Sequence, residues 1–497
     1  MTTTTPFASN DILGTEQIAR CADRKAATYT ELSDRIWGMP ELRFEEHRSV
    51  EEHIQALEAE GFSIQRNVAG IPTAFVAEAG EGEVTIGFLG EFDALAGLSQ
   101  GAGLTEFRPL QEGGNGHGCH HNLLGAASLL AAVALRDALA EAGIAARVRY
   151  YGCPAEEGGS GKTYMAREGV FDDLDAAFCW HPSDYNAVMS AATLANFQAY
   201  FRFTGRSSHA AVSPQVGRSA LDAIELMNVG INYMREHMPS EARVHYAVTE
   251  TGGVSPNVVQ SLAEGLYLVR APRLEDVRTL FGRVQKIAEG AAMMTETKVE
   301  MIFDRATSGV LPNRPLEEAM REEFERLGAP AFDHDDFDFA DRLSAAALTD
   351  ADRRASAEAL GVSRQFTKSL HDEILPLPAE PRLFFGSTDV GDVSCIVPTA
   401  QCLVATTAIG TPFHTWQTVT QGKLPAAHKG MITAAKVMAA TAARVIRDPE
   451  LRARAASDLV DRRRGEAYTS PLPEGTVPPN NSTSNRRSTI QPSSDPA

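Results

Sequence analysis

The stretch RVRYYGCPAEEGGSGKTYMAREGVFDDLDAAFCWH, residues 147–181, decides the fold class. It begins with a short run of β-forming residues at 147–152, which is typical of a strand. A Gly-rich turn follows, then a predicted helix at 162–169 that ends at a glycine. A second apolar run at 175–181 is strand-like again. A strand, a helix and a strand in succession are typical of an α/β layer.

Two upstream segments extend this pattern. VTIGFLG, residues 84–90, is a short apolar run that ends in Gly and predicts a buried strand. A Leu- and Ala-rich helix is predicted from Leu123 to Ala142, with Asn122 as its cap and Gly143 after its end. Strands that alternate with helices favour a largely parallel sheet.

The order of elements changes near residue 193. Strands are predicted at 197–203, 244–251, 265–271 and 298–303, and helices at 219–234 and 274–292. The order β-α-β-β-α-β is that of a ferredoxin-like domain. The sequence therefore predicts a larger domain, residues 1–192 plus 311–462, that is interrupted by an inserted domain at 193–310.

Two further segments are interpreted from composition. The acidic stretch AFDHDDFDFAD, residues 331–341, is predicted to be a solvated loop, because charge runs are usually exposed. Residues 430–447 form a final Ala-rich helix. Beyond residue 463 the chain is rich in Pro, Ser, Asn and Thr, so the segment 463–497 is predicted to be a disordered tail.

Composition narrows the function. The 497 residues include 46 Lys and Arg against 65 Asp and Glu, a net charge of −19. An acidic surface of this kind repels phosphate backbones and anionic lipid. Neither nucleic-acid binding nor membrane binding is therefore expected. The first residues lack the pattern of a secretory signal, and six unevenly spaced cysteines do not resemble a disulfide framework. We therefore expect a cytoplasmic protein with reduced thiols.

The densest group of metal-binding residue types lies in GGNGHGCHHNLLG, residues 113–125. Cys119 and His121, with one residue between them, would point to the same face of an extended backbone. Thiolate and imidazole bind zinc and its first-row neighbours, including cobalt, nickel and manganese. A reduced core cysteine near polar loop histidines is the alternative that this cluster alone leaves open.

Four other candidate residues lie near the ends of predicted strands. Glu156 and Glu157 follow the strand at 147–152; one could bind metal while the other takes a proton from water. His181 ends the next strand, and His414 lies in a loop after the apolar run CLVATTAIG. Parallel strands share a carboxyl edge, where ligands bind in open α/β sheets, so these residues could converge.

His209 is a further candidate in the inserted domain. It lies in TGRSSHAAVSP, residues 204–214. The pattern by itself favours an ordinary polar histidine in a loop.

Five ordered motifs together resemble peptidase family M20, in its amidohydrolase subfamily. They are GNGHGCHHNLLG, PAEEGGSGK, WHP, GRSSHAA and GTPFHTW, and the resemblance spans about residues 25–445. It implies a mixed-sheet catalytic domain interrupted by a ferredoxin-like lid that also mediates dimerisation. The activity it implies is metal-dependent hydrolysis of an amide bond in an N-acyl amino acid or dipeptide, such as an aryl-amide of glutamate.

The resemblance also implies roles for single residues. Two divalent ions, manganese or zinc in the first place and cobalt or nickel otherwise, would be held by five ligands: Cys119, His121, Glu157, His181 and His414. Glu156 would be the general base, and His209 would reach the neighbouring subunit's site to support the oxyanion. Asn257 and Arg270 would bind the substrate's carboxylate, and Asp93 and His117 would support the ligands. The partner would be a second copy of the chain or a homologous subunit.

One departure and two alternatives remain. His120 stands where the family usually has a small residue, so it competes with His121 as the ligand; the following Asn-Leu-Leu-Gly favours His121. A cysteine-dependent hydrolase using Cys119 is a different enzyme class, but it gives the two adjacent glutamates no role. A non-catalytic, metal-binding partner subunit is the other alternative, and a free Glu156 argues against it.

Overall fold

The computed structural model describes residues 13–362 and 366–479. The strands of this part are β1 Ser63–Arg66, β2 Phe75–Ala79, β3 Thr85–Gly90, β4 Arg147–Gly152, β5 Ala176–Ser183, β6 Ala187–Val188, β7 Ala191–Thr193, β8 Ala195–Thr204, β9 Arg243–Glu250, β10 Leu262–Ala271, β11 Lys298–Thr307, β12 Arg382–Phe384 and β13 Thr399–Ala405. Its α-helices are α1 Thr15–Trp37, α2 His47–Ala59, α3 His121–Ala142, α4 Gly161–Arg167, α5 Ala220–Met234, α6 Leu274–Thr295, α7 Arg314–Leu327, α8 His334–Ala347, α9 Asp350–Ala359, α10 Val390–Ser394, α11 Trp416–Val419, α12 Pro425–Arg447 and α13 Pro449–Arg462.

The larger sheet has seven strands in the order β1-β2-β4-β3-β5-β13-β6. Its four central strands, β4, β3, β5 and β13, run parallel, while β1, β2 and β6 pair antiparallel at the two sides. The mixed α/β architecture predicted from the sequence is confirmed. Every residue of β3 and β13 is buried, because a strand covered on both faces needs no polar alternation. The parallel centre places the ends of four strands at one edge.

Helix α3 is buried along most of its length. It contacts α1 and α12, and its 22 residues are apolar enough to cross a membrane by length and composition. However, 83% of its most apolar 18-residue stretch is buried inside the protein, as in the central helix of a core. Gly143 ends the helix at φ 65°, a conformation that glycine adopts without steric cost.

The inserted segment forms a second, four-stranded sheet in the order β11-β8-β10-β9, with every pair antiparallel. Helices α5 and α6 cover one face and share a separate core with it, which includes Phe201, Ile224 and Val284. The β-α-β-β-α-β order is ferredoxin-like, as the sequence predicted. The other face carries polar side chains such as Asn196, Gln198 and Arg270, because alternate residues of a strand point to opposite faces.

The prediction of a solvated loop at 331–341 is wrong. Helix α8 begins at His334, and Asp333 and Asp336 form a capping box at its start. The acidic residues belong to the first turn, where carboxylates satisfy backbone N–H groups and interact favourably with the helix dipole. One side of the helix, which includes Ala340 and Leu343, is buried. The charge run was therefore a helix start.

The disorder predicted from residue 463 does not begin there. The Tyr468 hydroxyl donates to Asp392 at 2.9 Å, and the Leu472 side chain is buried against the second core of the larger domain. Residues 480–497, which belong to the same prediction, lie outside the described part of the chain. The six cysteines, which all fall in the described part, form no disulfide.

Candidate metal centre

The site is assembled from chain segments that meet at the carboxyl edge of the parallel strands. The residues that meet there are Glu91 and Asp93 after β3, Glu156 and Glu157 after β4, His181 near the end of β5, His414 after β13, and Cys119 and His121 at the start of α3. The convergence expected from the strand ends is therefore present. It arises because β4, β3, β5 and β13 are parallel neighbours.

Three groups of side chains have ligand atoms within 4.8 Å of one another. They are Cys119–His121–His181, Cys119–Glu157–His414 and Glu91–His121–Glu156. The Cys119 thiol belongs to the first two of these groups. The two groups therefore share one sulfur atom. The five side chains predicted as ligands are all in these two clusters.

Hydrogen bonds fix the ring orientation of two histidines. Nδ1 of His121 lies 2.9 Å from Oδ1 of Asp93, and Nδ1 of His181 lies 2.6 Å from the carbonyl of Pro182. In the neutral tautomer that donates Nδ1–H to these oxygens, each Nε2 carries the lone pair that a metal ligand needs. Nε2 of His181 faces Cys119 Sγ at 3.4 Å. The predicted supporting role of Asp93 thus has a direct contact behind it.

The donors present fit divalent ions. Oε1 of Glu157 is buried without a hydrogen-bond partner, and Nε2 of His121 has Glu91 Oε2 at 3.3 Å but no aligned hydrogen bond; such buried polar atoms are costly unless something else binds them. The set of sulfur, nitrogen and oxygen donors suits zinc and other first-row metals. Asp93 Oδ2 also accepts the backbone N–H of Glu157 at 2.9 Å, so one carboxylate orients residues of both clusters.

The thiol and the carboxyl group of the second cluster favour their anionic forms, while its histidine favours the cation. Although burial and the charge of Glu157 raise the pKa of Cys119, the neighbouring His181 and His121 bring it down to about 6. Burial likewise opposes ionisation of Glu157, but a hydrogen bond with His414 and the imidazole charges lower its pKa to about 2. The same hydrogen bonds, with Cys119 and Glu157, raise the pKa of His414 to about 11. Metal binding would displace that proton.

The structure separates His120 from His121. The His120 ring is fully buried, with Nε2 2.6 Å from the carbonyl of Thr418 and Nδ1 3.3 Å from the Thr406 hydroxyl. Both of its nitrogens are engaged away from the ligand groups. His117 is also buried, and its Nε2 lies 3.1 Å from the carbonyl of Ile36, so it supports the loop through the chain at α1.

The local backbone differs from the extended stretch expected at Cys119–His121. His120 is left-handed at φ 57°, and His121 is the first residue of α3. Asn122 does not cap the helix; its side chain donates to the Ser33 hydroxyl at 3.0 Å and to the carbonyl of Gly422 at 3.0 Å. A sharp reversal, rather than strand alternation, brings Cys119 and His121 to the same centre.

Sequence reasoning missed a buried ionic cluster beside Glu156. Lys162 Nζ lies 2.5 Å from Glu91 Oε1 and 2.7 Å from Asp389 Oδ1, and all three side chains are at most 5% exposed. Glu91 Oε2 in turn lies 3.3 Å from Nε2 of His121. Burial and the charge of Glu91 raise the pKa of Glu156 well above its usual range. The Lys that follows GGSG and the Glu that follows the strand at 84–90 were the available signals.

Two predicted residues of the inserted domain lie apart from the clusters. His209 is exposed, and its Nδ1 accepts the N–H groups of Ala211 and Val212, both at 3.2 Å. That assignment places the proton of a neutral ring on Nε2, which makes Nε2 a donor. Asn257 is exposed and accepts the N–H of Ala210 through its carbonyl. Neither belongs to the ligand groups or to the cavity lining within this chain.

Arg270 lies closer, together with an arginine that the sequence did not single out. Arg270 Nη1 lies 3.3 Å from the Ser387 hydroxyl, which lines the cavity, and Arg305 Nη1 lies 3.2 Å from the carbonyl of Glu157. The Nε atoms of both arginines are buried without a hydrogen-bond partner. Burial and the charge of Arg305 lower the pKa of Arg270. Within the described residues neither guanidinium has a carboxylate in ion-pair range, so both have capacity for an anion.

The clusters open into a cavity of about 730 Å³. Its lining includes Cys119, Glu156, Glu157, His181 and His414. It also includes several residues from each of two stretches, 352–361 and 375–384, for which the sequence motifs predicted no role. The structure therefore assigns those stretches to the wall of the site.

Known structures share this fold. A Bacillus subtilis protein described as a dinuclear metal binding peptidase from the M20 family superposes with a TM-score of 0.54 at 18% identity, over 85% of this chain and 99% of that one. In sequence, the B subunit of p-aminobenzoyl-glutamate hydrolase from Escherichia coli (strain K12) is 48% identical over 467 residues, which cover 92% of this chain and 96% of the relative. The chain belongs to peptidase family M20.

A second relative of this M20 hydrolase is the Xaa-Arg dipeptidase of Mus musculus, 34% identical over 329 residues, 63% of this chain and 70% of the relative. No protein-family profile matches the chain. The family resemblance drawn from the five motifs is confirmed, and both relatives are named as hydrolases of amide or peptide bonds. The roles of the individual residues stay predictions.

Proposed function

We propose that this M20 hydrolase cleaves the amide bond of an N-acyl amino acid of the p-aminobenzoyl-glutamate type, with two divalent ions at the candidate centre. The observation that carries the proposal is the position of Cys119 in two ligand groups, with Glu156 left beside them. The five proposed ligands are Cys119, His121, Glu157, His181 and His414. The name of the Escherichia coli relative supports the substrate type.

Bound divalent ions supply Lewis acidity, which polarises a carbonyl and lowers the pKa of water. The protein's part in the reaction falls to Glu156. Its carboxylate takes a proton from the attacking water and returns it to the leaving amine. Burial and the neighbouring Glu91 favour the protonated form of Glu156, which suits the second of these transfers.

The amino-acid side of the substrate carries carboxylate, and the inserted domain offers the cations. Arg270 and Arg305 lie at the edge of the site with buried, unpaired Nε atoms. A guanidinium binds a carboxylate through two parallel hydrogen bonds. We assign the substrate carboxylate to Arg270, with Arg305 beside it and Asn257 contributed as the family resemblance implies.

His209 is assigned to the active site of a partner subunit. It is exposed in its own chain, and its Nε2 carries the proton that a developing oxyanion would accept as a hydrogen bond. The inserted domain would thus serve as lid and as dimer contact. The Escherichia coli relative is named as one of the subunits of its enzyme, which favours a heteromer as the assembly, with a homodimer as the other arrangement.

The test is a hydrolysis assay on p-aminobenzoyl-glutamate and on N-acyl amino acids, with Mn²⁺, Zn²⁺ or Co²⁺ added to protein stripped by a chelator. We expect turnover that appears with metal and disappears with chelator. Turnover that survives metal removal and is abolished by a thiol reagent would instead identify a cysteine hydrolase at Cys119. Bound metal without turnover, in the presence of any partner subunit, would identify a non-catalytic protein.

A mixing experiment tests the partner role of His209. Glu156→Ala and His209→Ala proteins are each expected to be inactive. In a hybrid dimer formed by subunit exchange, one active site carries both substitutions and the other carries neither. The intact site should restore activity. No recovery, with hybrid formation verified by mass spectrometry, would contradict a role for His209 in the site of the neighbouring chain.

A further inference from the structure

Helix α9 and the chain after it form a wall of the metal-site cavity. Ala355, Ala359 and Leu360 come from the helix and its end, and Leu375 and Phe384 come from the segment that follows. These residues line the same cavity as the two ligand clusters. The wall and the ligand clusters therefore border the same space.

The wall is held to the catalytic sheet. The buried carboxylate of Asp184 accepts the Ser356 hydroxyl at 2.5 Å and the N–H of Gly410 at 2.7 Å. One buried residue thus ties α9 to the loop that carries His414. Downstream, β12 pairs in parallel with β7. The wall therefore has a fixed position relative to the ligands.

The surface of this part of the cavity is mainly apolar. Val188, Met189, Leu403, Pro376 and Pro378 add to the residues named above. Phe413 stands at the junction with the metal centre, where its ring meets that of His181 edge-on with centroids 5.4 Å apart. The Phe413 side chain is 45% exposed, so its ring can contact a bound aromatic group.

The charges near the wall are more acidic than those the inserted domain presents to the site. Asp352 and Glu358 of α9 both line the cavity. Arg382 lies there too and donates to the carbonyl of Leu360 through Nη1, so the wall carries two carboxylates and one guanidinium. Among the described residues, Arg270 and Arg305 have no carboxylate partner, and both belong to the inserted domain. A carboxylate is attracted to the arginines and repelled by the acidic side chains of α9.

We propose that the α9 wall is the acyl-group pocket of the enzyme and that it selects an uncharged aromatic acyl group. This inference rests on the proposed amide hydrolysis and adds the orientation of the substrate: the aryl group lies against α9, and the amino acid lies toward Arg270 and Arg305. Apolar area removed from water and contact with the Phe413 ring would supply the preference.

The experiment compares two substrates that share glutamate and differ in acyl group, p-aminobenzoyl-glutamate and N-acetyl-glutamate, with metal added. Wild-type protein should prefer the aryl substrate by about tenfold or more in kcat/KM. Ala355→Trp and Ala359→Trp fill the pocket, so they should lower kcat/KM for the aryl substrate by about tenfold or more, and for the acetyl substrate by less than about threefold. Ala351→Trp, on the same helix but outside the cavity lining, is the matched control and should change neither.

Three outcomes would overturn the inference while leaving the proposed reaction intact. The pocket variants could lower kcat/KM equally for both substrates, or for neither. The wild-type protein could also hydrolyse both substrates equally well. A wild type that hydrolyses neither substrate contradicts the proposed function itself. Thermal unfolding and metal content establish that each variant is folded, and Ala355→Leu and Ala359→Leu provide smaller steps with the same expected direction if a Trp variant fails to fold.

Discussion

Oδ1 of Asp93 accepts a hydrogen bond from Nδ1 of His121 at 2.9 Å, with both side chains fully buried. This contact holds the His121 ring with Nε2 toward the ligand cluster. Partners of this kind typically change metal affinity by about 10- to 100-fold when they are removed. We expect Asp93→Ala to weaken metal binding by that factor, measured by titration against a competing chelator. Binding as tight as in the wild type would show that Asp93 does not orient His121.

The two adjacent histidines should respond differently to the same substitution. His121→Asn should reduce the bound metal, because Nε2 of His121 faces two of the three ligand groups. His120→Asn should keep the full metal content, and Asn also tolerates the left-handed backbone at this position. It should instead cost about 1–3 kcal/mol of unfolding free energy, since the carbonyl of Thr418 loses its buried donor. Elemental analysis and urea unfolding measure the two effects, and loss of metal from His120→Asn would reverse the assignment.

Substitutions of Glu156 and Glu157 should also have different effects. Glu156→Gln removes the proposed base but no proposed ligand, so metal content should persist while kcat falls by about 100- to 10,000-fold. Glu157→Gln is the matched change at a proposed ligand and should lower metal content first. Metal per subunit and kcat are measured on the same samples. Turnover near the wild-type value in Glu156→Gln would remove Glu156 from the role of base.

Lys162→Met should strongly destabilise the fold. It leaves Glu91 and Asp389 as buried carboxylates without their cation, and breaking a buried pair in this way costs about 3–5 kcal/mol. Lys436→Met is the control, because its ion pair with Asp23 is partly exposed and worth at most about 1 kcal/mol. Urea unfolding measures both. A loss of unfolding free energy from Lys162→Met as small as the loss from Lys436→Met would contradict the prediction.

His53 should make the protein less stable in mild acid. Burial lowers the pKa of His53 to about 4, although its hydrogen bond with the carbonyl of Ser49 opposes the shift. Below the unfolded pKa of 6.5 the unfolded chain binds a proton that the folded chain does not, so stability falls as pH falls from about 6.5 toward 4. The loss at pH 5 is about 2 kcal/mol relative to pH 7.5.

Urea unfolding of His53→Gln at both pH values checks this. The variant should lose about 2 kcal/mol less than the wild type between pH 7.5 and pH 5. His47→Gln, at an exposed position, serves as the control and should follow the wild type. An unchanged pH dependence in His53→Gln would contradict the assignment.

Local sequence patterns identified the strands and helices that decide the fold, because each type of element has its own spacing of apolar residues. The strand at 147–152 is observed at Arg147–Gly152, and the inserted domain follows the predicted order. The acidic run at 331–341 failed because a capping box and a loop share the same residue types; only burial of Ala340 and Leu343 distinguishes them. Tyr468 and Leu472 were likewise placed by long-range contacts that composition does not encode.

The sequence by itself determined the α/β class, the inserted domain, the family and the side chains that gather at the candidate metal centre, since residue types and their order along the chain carry that information. Only the tertiary structure separated the surroundings of His120 from those of His121, because the two rings hydrogen-bond to different segments, at Thr418 and at Asp93. Only the tertiary structure joined Lys162 to Glu91 and Asp389, which are far apart in sequence. It also brought α9 to the cavity, because that contact depends on how the buried Asp184 ties distant segments together.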